Sequence, residues 1–69
     1  GFLEGVAAKH HGQMQMVLLN KGWHHLNVDL KPEGPWTVQR LSPDGELLSV
    51  PWSAPLEIDA GQILRLTRQ

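Results

Sequence analysis

No cysteine occurs in this chain of 69 residues, so disulfides and zinc–thiolate sites are excluded. Tyrosine is absent and phenylalanine occurs once, which leaves three tryptophans to supply almost all the aromatic bulk. The formal net charge is only -1. There is neither a basic field for nucleic acid nor an acidic tail, and we expect no nucleic-acid partner. No apolar run approaches the roughly 20 residues that a membrane-crossing helix needs, and we expect no membrane partner. A glycine-rich phosphate loop and a Gly-x-Ser-x-Gly nucleophile turn are both missing; the seven glycines are scattered among turns. Gly1-Phe2-Leu3-Glu4 lacks the charged-then-apolar order of a secretory signal. A cysteine-free chain suits a cytosolic or an exported protein equally, so the compartment stays open.

The chain reads as one β-sandwich domain, 1–69, and its opening on Gly1 suits a fragment of something longer. A chain this short buries roughly 60% of its unfolded surface and is marginally stable alone. Small scaffolds usually add disulfides, a metal or a partner surface. With 41% hydrophobic residues and no cysteine, docking or self-association is the expected support.

Short apolar stretches with β-like alternation run from Val6 to Leu66, separated by turn residues. Val6 to His10 reads as a first strand and His11-Gly12 as a tight turn. Gln13 to Leu19 follows, with the methionines on one face and an ending, Val17-Leu18-Leu19, that is apolar on both faces. Asn20-Lys21-Gly22 reads as a turn. His25 to Leu30 alternates most cleanly, with Leu26, Val28 and Leu30 on one face. Pro32 and Pro35 bracket a loop. Trp36 to Leu41 is the next strand, and Ser42-Pro43-Asp44-Gly45 reads as a type I turn into Glu46 to Val50. Pro51 and Pro55 hold an extended crossing. Leu56-Glu57-Ile58, the turn Asp59-Ala60-Gly61 and a last strand Gln62 to Thr67 complete the series. Gln13 to Asn20 has helical propensity but is too short to stand as a helix. The expected fold is all-β, a small antiparallel β-sandwich or Greek-key-like barrel of six to seven short strands. The expected core is Val17, Leu19, Leu26, Val28, Leu30, Val38, Leu56, Ile58, Leu64 and Leu66, with Trp36 the tryptophan expected inside.

Three of these segments together carry a resemblance. They are Val17-Leu18-Leu19-Asn20, the alternating Leu26-Asn27-Val28-Asp29-Leu30, and Ala54-Pro55-Leu56-Glu57-Ile58 leading to Gly61-Gln62-Ile63-Leu64-Arg65-Leu66. Their order resembles the small all-β C-terminal domain of glycoside hydrolases, most of all that of bacterial β-galactosidases with a (β/α)₈ catalytic barrel. The resemblance implies an accessory role in carbohydrate metabolism, by packing or oligomerisation. In that family the catalytic carboxylates lie in the barrel, so no catalytic residue is carried over to this chain, and no cofactor is implied. The implied partner is the domain's own catalytic domain or another copy of itself.

Two other functional readings compete. Trp23 and Trp52 lie in predicted loops and could stack on sugar rings or anchor a partner, which would make the chain a free-standing carbohydrate-binding module. The histidines form two adjacent pairs, His10-His11 and His24-His25. Neighbours on a strand point to opposite faces, so a metal site would need His10 and His24 to meet across neighbouring strands. Carboxylates Glu4, Glu33, Asp44, Glu46, Glu57 and Asp59 fall in or beside turns. Glycosidase chemistry needs two carboxyls roughly 5–10 Å apart in a cleft, so we expect no activity from the chain alone.

Overall fold

The computed structural model describes residues 2–68. It is all-β, with seven strands in two antiparallel sheets. The strands are β1 (Leu3–His10), β2 (Gln13–Asn20), β3 (Leu26–Val28), β4 (Thr37–Leu41), β5 (Leu47–Val50), β6 (Leu56–Ile58) and β7 (Ile63–Arg68). The larger sheet has the order β1-β2-β7-β4-β5, and β3 and β6 form the smaller one. Two local hairpins, β1–β2 and β4–β5, are thus joined by the last strand, which inserts between them.

Local chemistry explains both hairpins. His11 (φ 49°) and Gly12 (φ 77°) are both left-handed, the requirement of a two-residue turn whose twist matches its strands. They set His10 opposite Gln13 and carry the register to Leu3 opposite Asn20. The second hairpin closes where the Gly45 amide donates to the Ser42 carbonyl at 2.9 Å. The first strand begins three residues before the expected Val6, because the apolar pattern there is broken by Glu4 and Gly5 while the pairing with β2 continues.

The two sheets share one core of Leu18, Leu30, Trp36, Val38, Leu56, Ile58, Leu64 and Leu66. Trp36 is buried as expected, and its indole N–H donates to the Pro32 carbonyl at 3.0 Å. Leu26 and Val28 are half-buried against this core. The expectation for β2 is corrected: Val17 is 45% exposed and Leu19 only half-buried, while Leu18 and Asn20 point inward. Apolar residues at 17, 18 and 19 leave both parities open. Pairing decides between them, because Leu18 stands opposite Leu64 in β7. Trp52 packs on the core where Gly34 leaves room; a Cβ at Gly34 would lie 2.3 Å from the indole.

The covering of the large sheet is incomplete. The small sheet offers two strands of three residues, too few to reach its edge. β1 is therefore exposed at all eight of its residues. The outer face of the large sheet carries an apolar row, Leu19 opposite Ile63 and Leu41 opposite Leu47. Val6 opposite Val17 lies alongside that row.

Candidate functional site

The best-organised surface lies where the β2–β3 loop meets the β6–β7 turn. Its centre is Asn20, the last residue of β2 and fully buried. The Asn20 side-chain amide donates to the His24 carbonyl at 2.8 Å and to the Ile58 carbonyl at 3.1 Å. Its side-chain oxygen accepts the Gly22 amide at 3.0 Å. Its backbone carbonyl accepts the Gly61 amide at 2.8 Å, and its amide donates to the Gln62 carbonyl at 3.1 Å. One buried side chain thus holds a loop, a strand end and, through its backbone, a neighbouring turn. A carboxamide is needed here because it can donate twice and accept at once.

The loop so held presents Trp23, which is 90% exposed. Beside it Phe2 lies over Gly22, where an added Cβ would come within 2.9 Å of the Phe2 side chain. The Lys21 amide donates to the Phe2 carbonyl, and Lys21 Nζ pairs with Glu4 at 2.7 Å. Of the two tryptophans expected at a contact surface, Trp23 offers an open indole, while Trp52 is half-buried against its own core.

His25 follows on the outer face of the small sheet. Its Nδ1 lies 2.8 Å from Asp59 Oδ1, and its Nε2 lies 3.3 Å from Asn27 Oδ1 and 3.7 Å from Glu57 Oε1. The hydrogen bond with Asp59 raises the His25 pKa above its ordinary value of 6.5; desolvation opposes it, and Asn27 and the Glu57 and Asp59 charges add to the rise. An open cleft of about 360 Å³ has His25, Ser53 and Asp59 in its wall. These are the residue types of a nucleophilic triad, and the hydrogen bonds do not make one. The Ser53 hydroxyl donates to the Pro55 carbonyl at 3.0 Å, and His25 Nε2 is directed at Asn27. Glu57 and Asp59 share the face, but they are 68% and 75% exposed, so the apolar pocket that keeps a catalytic acid protonated is not built around them.

The meeting of His10 and His24 that a metal site would require is not realised. His10 pairs with Gln13 at one end of the first hairpin, and His24 lies beyond Asn20 at the other, roughly 20 Å away along eight-residue strands. Among the described residues no group of three or more His, Asp or Glu side chains is placed to hold a metal ion. The sequence reading overlooked Asn20 and the His25–Asp59 pair. Asn20 read as a turn residue, because Asn favours turns and is usually exposed, so no local signal marked it as a buried anchor. The His25–Asp59 contact depends on β3 pairing with β6, whose register no local pattern announces. Comparison with family models, curated proteins and solved structures finds no match.

Proposed function

We propose that this chain is a non-catalytic accessory β domain that acts by packing, against a catalytic domain or another copy of itself, in the manner of the C-terminal domains of glycoside hydrolases that its strand pattern resembles. The observation that carries this reading is β1, exposed along all eight residues while hydrogen-bonded to β2 throughout. A strand that is formed but uncovered is a surface prepared for something else to cover. The outer apolar row of Leu19, Ile63, Leu41 and Leu47 supports the same reading.

Such a domain is marginal by itself. Denaturant unfolding of the dilute monomer is expected to give no more than about 3–5 kcal/mol, the range for a core of this size without staples. A monomer that melts cooperatively above about 90 °C would show that no covering partner is needed and would sink the reading.

One observation favours carbohydrate binding as a second reading: the open indole of Trp23 on a loop hydrogen-bonded to Asn20. Titrating galactosides and oligosaccharides against tryptophan fluorescence separates the two. Saturable binding that disappears in Trp23→Ala would favour the sugar reading, and no response in either protein favours packing.

A further inference from the structure

We propose that a second copy of this chain completes the large sheet at β1, antiparallel to the first copy's β1, across a twofold axis at Ala7. This names the partner for the packing role above and rests on that reading.

Backbone alternation defines the free edge. The Lys21 amide donates to the Phe2 carbonyl, which makes Phe2 and Lys21 a hydrogen-bonded pair in the β1–β2 register. By alternation Glu4, Val6, Ala8 and His10 bond to β2. Leu3, Gly5, Ala7 and Lys9 therefore direct their N–H and C=O groups away from the sheet, without a partner among the described residues.

Symmetry then limits the registers. A twofold axis normal to the sheet keeps each face on its own side, so only residues of the same parity can stand opposite each other. An axis at Ala7 sets Gly5 opposite Lys9, Val6 opposite Ala8 and Glu4 opposite His10 of the second copy. The Glu4 carboxylate of each copy, paired with Lys21 of its own chain, meets the His10 imidazole of the other, once on each side of the axis. Lys9 meets a residue with no side chain to obstruct its stem. An axis at Val6 would set Glu4 against Ala8 and Leu3 against Lys9. An axis at Ala8 would leave Glu4 outside the paired stretch. Only the Ala7 register brings acid to base. It uses Glu4 through His10, stops before the His11-Gly12 turn, and makes about six new backbone hydrogen bonds. It also places Ala8 of the second copy beside Val6 and Val17 on the outer face, extending the apolar surface there. Because each copy contributes the same edge, the assembly closes at two. The other edge, β5, has four residues and runs into Pro51, which suits it less.

The test is sedimentation of the whole chain from micromolar to millimolar concentration, with Ala7→Pro and two cysteine variants. Wild type is expected to pass from monomer to dimer over that range. Ala7→Pro, which removes an outward N–H and leaves the β1–β2 ladder intact, is expected to raise the dimer dissociation constant at least tenfold while keeping its β circular dichroism. Under oxidation Ala7→Cys is expected to cross-link, because directly opposed hydrogen-bonded residues have Cα atoms about 5.5 Å apart. Val6→Cys is expected to resist, its copies lying diagonally at more than about 7 Å. Should Ala7→Pro fail to fold, the cysteine pair decides. Preferential cross-linking of Val6→Cys, or a dimer that survives Ala7→Pro, overturns the proposal. A folded wild type that stays monomeric at millimolar concentration also overturns it. That outcome leaves the packing reading to stand or fall on the monomer's stability alone.

Discussion

Asn20 shows how much one residue can decide. Its side chain makes three hydrogen bonds in a fully buried position. Asn20→Ala leaves two carbonyls and an amide without those partners, at an expected cost of roughly 1–3 kcal/mol. Asn20→Asp is expected to cost more at neutral pH, since a carboxylate can still accept from Gly22 but would face the His24 and Ile58 carbonyls with like polarity. Denaturant titration of both variants checks this, and a neutral Asn20→Asp would show the anchor to be dispensable. His25 carries a different prediction, about pH. Its pKa is raised in the folded state, chiefly by the Asp59 hydrogen bond. The stabilisation is therefore fully present below the ordinary 6.5 and is lost as pH rises through the raised folded value. Histidine resonances followed by NMR are expected to place His25 above 6.5, with Asp59→Asn moving it back. The stability difference between wild type and His25→Gln is expected to be larger at about pH 5.5 than at about pH 8.

At the scale of the element, β2 is the instructive case. Val17, Leu18 and Leu19 are all apolar, so alternation alone assigns no inner face. In the sheet Leu18 is packed within the core and Val17 is 45% exposed. Leu18→Ala is expected to cost about 2–5 kcal/mol, which would unfold much of so small a protein, while Val17→Thr is expected to stay within about 0.5 kcal/mol. Equilibrium unfolding of the pair measures which parity faces inward. A cost at Val17 that matched the cost at Leu18 would mean both faces are covered in solution, and the covering partner would then be present in the sample. β3 and β6 behave differently because their alternation is clean. Leu56 and Ile58 are buried, and Glu57 stands on the outer face opposite Asn27.

For the whole molecule the balance lies between a five-stranded sheet and a small two-stranded one. Amide exchange of the dilute protein is expected to be slowest in β2, β7 and β4, which are paired on both sides, and fastest at Leu3, Gly5, Ala7 and Lys9 on the free edge. Slow exchange at Gly5 and Ala7 in dilute solution would mean that the edge is already occupied. Much of this architecture was legible in the residues. Turn chemistry at His11-Gly12 and Ser42 to Gly45, and alternation at Leu56 to Ile58 and Ile63 to Leu66, are local signals. A local signal needs no partner to be read, so six to seven short strands, the all-β class and a buried Trp36 follow from the sequence by itself. The candidate surface was half legible: Trp23 could be placed in a loop, but its exposure and the covering of Trp52 by Gly34 could not be foreseen. Which face of β2 turns inward, the insertion of β7 between two hairpins, the Asn20 anchor and the uncovered β1 were decided only by the tertiary structure. Each depends on pairing between segments far apart in the chain, and a period of two says which residues share a face without saying what that face will meet.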